Sequence, residues 1–387
     1  MRALRTPAPN PPILLAAGGT GGHVFPAEAL AAELEARGRR LVLMTDRRGA
    51  AFGDVLGRIE RHAIAARSPS VRGPLARIMA VLGLARAVLQ AARVLRRIRP
   101  AAAVGFGGYP SVPPLVASGR LGIPSVLHEQ NAVLGRANRM LARRASAIAT
   151  SFPETERIPH SRAALVTHVG NPVRAAIAAL RGAAYDPPAL GGPLRLLVTG
   201  GSQGARIFAE VVPAAIAALP QASRERIEVS QQCRTEDLAE VERAYAEAGV
   251  AARLAPFFDD IPARLGESHL VICRAGASTI AELAAAGRPA ILVPLPNAAD
   301  DHQSANGRSL VAAGAAIMIP QGSFTPARLA QELETLMAAP ARLAQQAAAA
   351  AGFARPDAAR SLADLVEGLI NGSLPGHPMP ERTEGAA

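Results

Sequence analysis

The stretch that decides the fold is "ILLAAGGTGGHVFPAEAL", Ile13 to Leu30. Its apolar start predicts a buried strand, its four glycines a tight loop, and "FPAEALAAELEARG" a helix with Pro26 near its beginning and Gly38 just past its end. A glycine loop at a helix N-terminus is a general anion-binding arrangement, because free backbone N–H groups and the helix dipole favour negative charge. The unusual feature is His23, which stands where the helix begins.

The same order of elements recurs in the second half of the chain. "LRLLVTGGSQGARIFAE", Leu194 to Glu210, again predicts a strand, a glycine turn and a helix, and each half has a later glycine turn, in "GFGGYPS" and "CRAGAST". Alternating strands and helices predict a doubly wound parallel sheet with helices on both faces. The predicted fold class is therefore α/β, with two Rossmann-like domains facing across a cleft and ligands at the carboxyl ends of the strands.

The 387 residues suffice for about two domains of ordinary size. We place the join near "VGNPVRAAI", so that residues 1–174 form an N-terminal domain and residues 175–354 a C-terminal one. A C-terminal helix at about 355–371 is expected to pack back on the N-terminal domain, and residues 372–387 are expected to be a disordered tail.

The composition predicts a soluble protein with an anionic partner. The N-terminus "MRALRTPAPNPP" lacks the apolar core of a signal peptide, and no apolar run reaches the length of about 18 residues that a membrane span needs. Cys233 and Cys273 form no CxxC pair and are expected to be reduced core residues. The net charge of +11, with 42 arginines and no lysine, favours a nucleic acid, a membrane surface or a phosphorylated substrate. Nucleic acid is not expected, since aromatic residues make up only 3% of the chain and no binding module is evident.

The glycine loops fit neither of the two commonest phosphate-binding motifs. A Walker loop needs a lysine, "GGTGGH" does not supply the G-x-G-x-x-G of a dinucleotide site, and "GGSQGA" fits that pattern only loosely. No DxD pair is present to hold a divalent metal against a diphosphate, and histidines and cysteines do not cluster. A leaving diphosphate would therefore be stabilised by helix N-termini, by Ser202 and the amides of "GGSQGAR", and by Arg174.

Two interpretations of His23 are open from the sequence. The helix dipole disfavours the imidazolium, so the ring is expected to be neutral near pH 7, as a general base must be; alternatively, the ring only hydrogen-bonds a nearby carbonyl. A second polar group, "HEQN" from His128 to Asn131, ends a predicted strand. Because ligands bind at that edge of a parallel sheet, this run favours a site over mere solubility.

Two helix starts in the second half carry similar alternatives. Glu282 of "ASTIAEL" can accept hydrogen bonds from both hydroxyls of a ribose, or it can form a capping box with Thr279. In "DHQSAN", Gln303 lies one helical turn before Asn306, and the preceding Asp300 or Asp301 can serve simply as the N-cap.

The segment "PLARIMAVLGLARAVLQAARVLRRIRP", Pro74 to Pro100, predicts a basic amphipathic helix. In its first half both faces are apolar, because Leu75, Ile78, Met79 and Leu82 continue the side that carries arginines later on. We interpret this patch, with Arg72, Arg77 and Arg86 at its rim, as a peripheral membrane contact. The alternative is a helix that is buried on both sides for part of its length.

Seven motifs in order resemble those of the MurG family of bacterial glycosyltransferases: "GGTGGHVFPA", "GFGGYPSVPP", "HEQN", "GNPVR", "GGSQGAR", "CRAGASTIAEL" and "DHQ". That family has the GT-B fold and adds N-acetylglucosamine to lipid I during peptidoglycan synthesis. The resemblance implies a hexosyltransferase without metal or cofactor, with UDP-N-acetylglucosamine and undecaprenyl-pyrophosphoryl-MurNAc-pentapeptide (lipid I) as substrates. It also implies a peripheral protein on the cytoplasmic face of the inner membrane, with anionic lipid and cell-wall or division proteins as partners.

The resemblance further implies a donor site that lies mainly in the second domain. There, Ser202 would bind the diphosphate and Glu282 the ribose hydroxyls, Phe258 would lie at the uracil and Gln303 at the sugar, and the nucleotide would be wrapped by Ala277, Ser278 and Thr279. From the first domain, the donor would be approached by Thr20, Gly21, Gly22, Asn131 and Arg174.

For the acceptor, the resemblance implies that the first-domain loops hold its pyrophosphate, through Gly18, Gly19, Gly107, Gly108 and Tyr109. His23 would take the proton from the muramoyl 4-hydroxyl as that oxygen attacks, and one displacement would invert the α-linked donor into a β-1,4 bond. Glu129 is the rival or assisting base.

Two positions depart from the family pattern, and three other activities compete with it. Gly307 stands where the family usually has alanine, and "PLPNAADDHQ" is an atypical lead-in to its helix. The rivals are another GT-B enzyme, such as a 2-epimerase or a glycolipid synthase, a catalytically silent nucleotide-sugar sensor, and a nicotinamide dehydrogenase. The presence of both His23 and Glu129 counts against the sensor, and the glycine spacing counts against the dehydrogenase.

Overall fold

The computed structural model describes residues 10–18, 21–46, 54–64, 74–201 and 204–373. Four of the residues proposed for the site or the membrane patch, Gly19, Thr20, Arg72 and Ser202, lie outside these ranges, as do 374–387 of the expected tail. Leu75 and Arg77 belong to a described helix, but their side chains are not described.

Within the described ranges the chain forms two parallel β-sheets with helices between the strands. The strands of the first sheet are β1 (Ile13–Ala16), β2 (Leu41–Asp46), β3 (Glu60–Ile64), β4 (Ala102–Gly105), β5 (Ser125–Glu129), β6 (Ala147–Thr150) and β7 (Val166–His168). Those of the second sheet are β8 (Leu194–Thr199), β9 (Ile227–Gln232), β10 (Ala251–Ala255), β11 (Leu270–Cys273), β12 (Ala290–Leu292) and β13 (Ala316–Met318).

The helices divide between the same two parts of the chain. Around the first sheet lie α1 (Gly21–Ala36), α2 (Asp54–Arg58), α3 (Pro74–Ile98), α4 (Val112–Arg120) and α5 (Arg136–Ala142). The second part contains α6 (Ala175–Ala178), α7 (Arg206–Ala217), α8 (Gln221–Arg224), α9 (Leu238–Glu247), α10 (Ile261–Glu267), α11 (Ala277–Ala286), α12 (His302–Ala312), α13 (Pro326–Ala338) and α14 (Pro340–Phe353). The last helix is α15 (Ala358–Asn371).

The chain separates into two compact units: the first contains residues 1–174 and those from 357 onward, and the second residues 175–356. The last helix, α15, belongs to the first unit, where it packs against α1. Arg37, just after α1, forms ion pairs of 2.6 Å with Asp364 and 2.7 Å with Glu367, and Arg39 pairs with Glu367 at 2.6 Å. These ion pairs hold α15 against the end of α1.

Both sheets have the same strand order. The first is β3-β2-β1-β4-β5-β6-β7 and the second β10-β9-β8-β11-β12-β13, with every paired strand parallel. In each sheet the order reverses beside the first strand, between β1 and β4 and between β8 and β11. Doubly wound sheets bind ligands at this switch point, outside the carboxyl ends of the strands. The predicted fold class, two Rossmann-like parallel sheets, is confirmed.

The alternation of side chains along β1 builds two apolar layers in the first unit. Ile13 and Leu15 pack on one face with α1 and α15, while Leu14 and Ala16 pack on the other face with α3 and α4. All four side chains are fully buried. A strand that is covered on both faces has a continuous run of apolar residues, so β1 can be predicted from the sequence.

The strands that the sequence did not predict lie away from the centre of each sheet. β3, β10 and β7 are edge or near-edge strands whose side chains are mostly exposed or half-buried, and β13 has only three residues. Strands with little burial do not need an apolar run, so their sequences carry no such signal. The helix predicted from Phe25 begins by Gly21, and Pro26 is its sixth residue. Since proline has no N–H, it cannot donate the helical hydrogen bond that the carbonyl of Gly22 would accept.

Candidate active site

The two glycine loops of the first unit approach each other at the switch point of the sheet. A Cβ atom at Gly18 would lie 2.9 Å from Oγ1 of Thr45 and 3.2 Å from Cβ of Pro110, so only glycine fits there. Gly107 and Gly108 have positive φ angles of 79° and 67°, which favour glycine. The two residues follow β4, as Gly18 follows β1, and the structure brings them together.

His23 lies against the second of these loops. Cβ atoms at Gly107 and Gly108 would lie 3.5 Å from Cε1 and 3.3 Å from Nε2 of its ring. The neighbouring Tyr109 has a buried hydroxyl without a hydrogen-bond partner in the structure, and burial raises the pKa of its side chain. A base candidate and the loops proposed for the acceptor pyrophosphate therefore share one end of the sheet.

The polar run after β5 is connected to His23 by hydrogen bonds. Nδ1 of His23 lies 3.1 Å from Oε1 of Gln130, and Nε2 of Gln130 lies 2.9 Å from Nδ1 of His128. Nε2 of His128 lies 3.1 Å from the carbonyl oxygen of Gly170. His128 is fully buried, and this burial lowers the pKa of its imidazole to about 4. The carbonyl group to which His23 is hydrogen-bonded is therefore that of the Gln130 side-chain amide.

Glu129 is buried, and both of its carboxylate oxygens accept hydrogen bonds. Oε1 accepts from the backbone N–H of Asn131 at 3.0 Å and from its side-chain amide at 3.1 Å. Oε2 accepts from the backbone N–H of Gly135 and from the amide of Asn138, each at 2.8 Å. Four donors leave this carboxylate poorly disposed to take a proton from a substrate. This arrangement argues against Glu129 as the base. It indicates instead that the Glu129 carboxylate fixes the conformation of the loop from 130 to 138.

The other first-unit residues proposed for the donor lie close to the same region. Gly21 and Gly22 are the first two described residues of α1, and Asn131 is held by Glu129. The guanidinium of Arg174 lies 4.6 Å above the ring of Phe25, which belongs to the second turn of α1. Asn138, which the sequence did not single out, is 1% exposed and would be 3.3 Å from a Cβ at Gly107.

In the second unit, the loop after β8 makes a tight turn into α7. A Cβ at Gly200 would lie 2.3 Å from the backbone nitrogen of Ala205, and Gly201 and Gly204 have positive φ angles of 77° and 67°. Oγ1 of Thr199 donates to Oε1 of Gln232 at 2.9 Å, which ties the end of β8 to the end of β9. The backbone conformation of this turn therefore requires glycine at positions 200, 201 and 204.

The loop after β11 leads into α11, and here one of the two interpretations of Glu282 is wrong. The N-cap of α11 is Gly276, and Thr279 is the third residue of the helix, so Thr279 and Glu282 form no capping box. Ala277 is buried in the first turn, and the hydroxyl of Ser278 is buried without a hydrogen-bond partner in the structure. The capping explanation of Glu282 is removed, and Glu282 lies one turn into the helix at the end of β11.

The start of α12 also lies at this end of the second sheet. Oε1 of Gln303 accepts a hydrogen bond of 2.9 Å from the backbone of Leu295, and the amide of Asn306 donates to the carbonyl of Ala275 at 3.1 Å. Asp301 is the N-cap of α12, with no hydrogen bond from its side chain to the cap amides. A Cβ at Gly307 would lie 2.7 Å from the sulfur of Met318, so this departure from alanine makes room for Met318.

Phe258 lies in the loop after β10 and is buried beneath an arginine. The guanidinium of Arg264 lies 4.0 Å above its ring and donates to Asp260 at 2.7 Å. The nearby Gln232 donates to the carbonyl of Pro256 at 3.1 Å, which fixes the start of this loop. The described donor candidates of the second unit, Phe258, Ala277, Ser278, Thr279, Glu282 and Gln303, all follow the carboxyl ends of its strands.

Arg274, which the sequence did not single out, holds this end of the sheet together. Its guanidinium donates to the carbonyl oxygens of Val293 and Pro294 at 3.1 and 3.3 Å and lies 5.3 Å from the centre of the Phe208 ring. Burial lowers the pKa of this side chain. In the described part of the chain, no group of three or more His, Cys, Asp or Glu residues is arranged to hold a metal ion.

One face of α3 is apolar and exposed. Between 50% and 64% of each apolar side chain is accessible at Ile78, Met79, Val81, Leu82 and Leu89. The opposite face, with Ala87, Val88, Ala91, Ala92 and Leu95, packs on the sheet. Ile78–Ile98 is long and apolar enough to cross a membrane by length and composition, which is weak evidence because core helices of soluble proteins share these properties. At Ile78, Met79 and Leu82, the described members of the proposed patch, the side chains are exposed, so the alternative of a helix buried on both sides is wrong there.

Comparison with known proteins gives consistent matches over most of the chain. The glycosyltransferase family 28 N-terminal domain matches residues 13–150, and the C-terminal domain of the same family matches residues 195–362. A protein of Paramagnetospirillum magneticum is 55% identical over 93% of this chain and 97% of its own length. One of Rhodospirillum centenum is 56% identical over 93% of this chain and 96% of its own. Both are named UDP-N-acetylglucosamine--N-acetylmuramyl-(pentapeptide) pyrophosphoryl-undecaprenol N-acetylglucosamine transferase.

A solved structure supports the same relationship. The crystal structure of MurG from Acinetobacter baumannii superposes with a TM-score of 0.74 and 31% sequence identity. The match covers 92% of this chain and 98% of that one.

Proposed function

The chain belongs to glycosyltransferase family 28, and we propose that it transfers N-acetylglucosamine from UDP-N-acetylglucosamine to lipid I, which yields lipid II for peptidoglycan synthesis. The observation that carries this assignment is identity above 50%, over nearly the full chain, to relatives named for this transfer. The chain is thus a UDP-N-acetylglucosamine-dependent hexosyltransferase of the MurG type.

In this proposal the second unit holds most of the donor. The amides at the start of α7 and Ser202 bind the diphosphate, because free N–H groups at a helix N-terminus favour anions. Glu282 accepts hydrogen bonds from the ribose hydroxyls and Gln303 contacts the sugar. Phe258 lies at the uracil, and the nucleotide is lined by Ala277, Ser278 and Thr279. The remaining donor contacts come from Thr20, Gly21, Gly22, Asn131 and Arg174 of the first unit.

The first unit binds the acceptor and supplies the base. The pyrophosphate of lipid I is held by Gly18, Gly19, Gly107, Gly108 and Tyr109. His23 takes the proton of the muramoyl 4-hydroxyl onto Nε2 while that oxygen forms a bond to the anomeric carbon of the donor. The bond from that carbon to the diphosphate breaks with its electron pair on UDP, so the α-linked sugar becomes β-1,4-linked. The negative charge that develops on UDP is stabilised by the α7 N-terminus and Arg174.

The exposed apolar face of α3 is the proposed membrane contact, with Ile78, Met79 and Leu82 inserted among lipid chains and Arg86 beside anionic headgroups. Arg72 and Leu75 belong to the same proposal. Several apolar side chains that are at least half exposed on one helix indicate an interaction surface. Because the proposed acceptor is linked to a lipid, we propose that the membrane surface covers them. The protein is therefore proposed to be peripheral at the cytoplasmic face of the inner membrane. Cell-wall and division proteins are proposed as further partners, without an assigned surface.

The test is to measure UDP release by the purified protein with UDP-N-acetylglucosamine and a short-prenyl lipid I analogue, in EDTA. We expect release that depends on the acceptor, and an acceptor product heavier by one N-acetylglucosamine residue with a β linkage. Release without the acceptor would instead indicate transfer of the sugar to water, as in a hydrolysing epimerase. Donor binding without release would indicate the silent sensor, and either result would overturn the proposal.

A further inference from the structure

A chain of hydrogen bonds runs from the backbone of the first unit to the ring of His23. It begins at the carbonyl of Gly170 and passes through His128 and Gln130, with distances of 3.1, 2.9 and 3.1 Å. Both linking side chains are buried: His128 is 0% and Gln130 2% exposed. Water therefore cannot replace a missing hydrogen-bond partner of His128 or Gln130.

The proton positions along the chain follow from its first member. A backbone carbonyl can only accept, so Nε2 of His128 carries the proton that points to Gly170. His128 is neutral because burial holds the pKa of its ring at about 4, so its Nδ1 has a lone pair. Gln130 must then present its NH2 group to that lone pair, which turns its carbonyl oxygen toward His23. Only donation from Nδ1 of His23 completes the last contact.

We propose that Gln130, oriented by His128, is a positioning residue that fixes the neutral tautomer of His23, with the proton on Nδ1 and a bare Nε2 beside Gly108. The inference rests on the proposed function, in which Nε2 of His23 accepts the acceptor's proton. A glutamine suits this place because its amide donates at one end and accepts at the other. A carboxylate could accept from His23 but could not donate to His128, and an apolar side chain could do neither.

The contact has a catalytic consequence that a purely structural amide would not have. A neutral imidazole has two tautomers, and only the one with a bare Nε2 can take a proton on that atom. The same hydrogen bond sets the rotation of the ring, which lies against Gly107 and Gly108 on its other side. Loss of Gln130 is therefore expected to lower kcat while leaving donor affinity unchanged, since the donor candidates of the second unit are untouched.

The experiment is nitrogen-15 NMR of the full chain with labelled histidine, in which the His23 signal is identified by its loss in His23→Gln. In the unsubstituted protein we expect a protonated Nδ1 and an unprotonated Nε2 for His23, and the reverse for His128. A His23 ring that is protonated at Nε2, or doubly protonated at pH 7.5, would overturn the proposal without any variant at position 130.

The second measurement is made on Gln130→Met, which keeps the side-chain length but removes both hydrogen-bonding groups. We expect a mixture of His23 tautomers and a kcat lower by roughly 10- to 100-fold, with the dissociation constant of UDP-N-acetylglucosamine unchanged. Gln346→Met, at a buried glutamine of α14 in the second unit, is the matched control and should change neither. An unchanged tautomer and kcat in Gln130→Met would contradict the inference. If the tautomers behave as expected but His23→Gln keeps full turnover, the base assignment fails and the role of Gln130 in setting the tautomer stands.

Discussion

At the scale of single residues, the two titratable candidates of the first unit have different surroundings. His23 is half-buried, with one ring nitrogen bonded to Gln130 and the other beside a glycine loop. Glu129 is 2% exposed and accepts from four donors. A group that must exchange a proton with a substrate needs a free lone pair within reach, which favours His23.

The role of Glu129 is testable with Glu129→Gln. The substitution replaces one acceptor oxygen with an NH2 group that faces two donors, so two hydrogen bonds to a charged group are lost. At about 1.5–3 kcal/mol for each such bond, we expect the free energy of unfolding of the first unit to fall by about 3 kcal/mol or more. Urea unfolding followed by circular dichroism measures it, with the exposed Glu154→Gln as control. A change below about 0.5 kcal/mol, typical of surface substitutions, would exclude this structural role.

The donor proposal predicts a selective effect of Glu282→Ala. Removal of a carboxylate that accepts ribose hydroxyls should weaken UDP-N-acetylglucosamine binding by roughly 10- to 100-fold, because hydrogen bonds to charged groups contribute about 1.5–3 kcal/mol. Isothermal titration with UDP measures the affinity, and turnover at saturating donor should stay within a few-fold of the original. Glu247→Ala, at an exposed position of α9, is the control. Unaltered UDP affinity would remove Glu282 from the site.

At the scale of elements, β5 places a buried neutral histidine in the sheet, which makes stability depend on pH. The pKa of His128 is about 4 in the folded chain, against about 6.5 for an unfolded histidine. Its contribution to stability is therefore complete above pH 6.5 and is lost as the pH falls toward 4, since the unfolded state binds the proton first.

The expected loss from His128 between pH 7 and pH 4 is about 3 kcal/mol, at about 1.4 kcal/mol per pH unit over this interval. We predict that the free energy of unfolding of His128→Gln falls less over this pH range than that of the unsubstituted chain, by about that amount. Urea unfolding at pH 7.0, 5.5 and 4.0 gives both slopes. His269, whose pKa is also lowered to about 4 by burial, is present in both proteins and cancels in the difference. Equal slopes would contradict a buried neutral ring at position 128.

The exposed face of α3 gives a prediction for membrane binding. Leu82→Glu should lower the affinity for vesicles that contain phosphatidylglycerol by roughly 10-fold or more, because burial of a leucine side chain contributes about 1.5–3 kcal/mol. Co-sedimentation at low and physiological salt measures the bound fraction. Leu190→Glu, at a position of the second unit that is 80% exposed, introduces the same charge elsewhere. Equal losses in the two variants would assign the effect to net charge, and equal binding of all three proteins would remove α3 from the contact.

Individual elements show how far sequence alone can reach. β1 was predictable because both of its faces are buried, and the glycine turns after β1, β4 and β8 because they need residues without Cβ or with positive φ angles. The strands β3, β7 and β10, whose side chains are mostly exposed or half-buried, lack an apolar run. The capping-box alternative at Thr279 is wrong because the helix begins two residues earlier, at Ala277. The contact between His23 and Gln130 joins residues 107 positions apart, and Asn138 stands in an unremarkable helical segment. Pairings of that kind depend on the sheet order, which local patterns do not encode.

At the scale of the whole molecule, the chain uses one architectural plan twice. Each unit has the strand order 3-2-1-4-5-6 within its own numbering, to which the first adds a seventh strand at the edge. Each places its glycine loops at the carboxyl ends of the two strands beside the switch point. The side chains at those two places differ in chemistry. The first unit carries a histidine network and the second carries Glu282, Ser278 and Gln303 on helix starts. We therefore propose that one unit carries out proton transfer and the other binds most of the donor.

The most direct test of this division is a paired measurement on His23→Ala, of UDP-N-acetylglucosamine affinity and of acceptor-dependent UDP release. We expect an unchanged dissociation constant for the donor and a turnover lower by roughly 100- to 10,000-fold, the contribution typical of a general base. Turnover close to that of the unsubstituted protein would contradict the assignment of His23 as the base. Loss of donor binding together with turnover would contradict the division of labour between the two units.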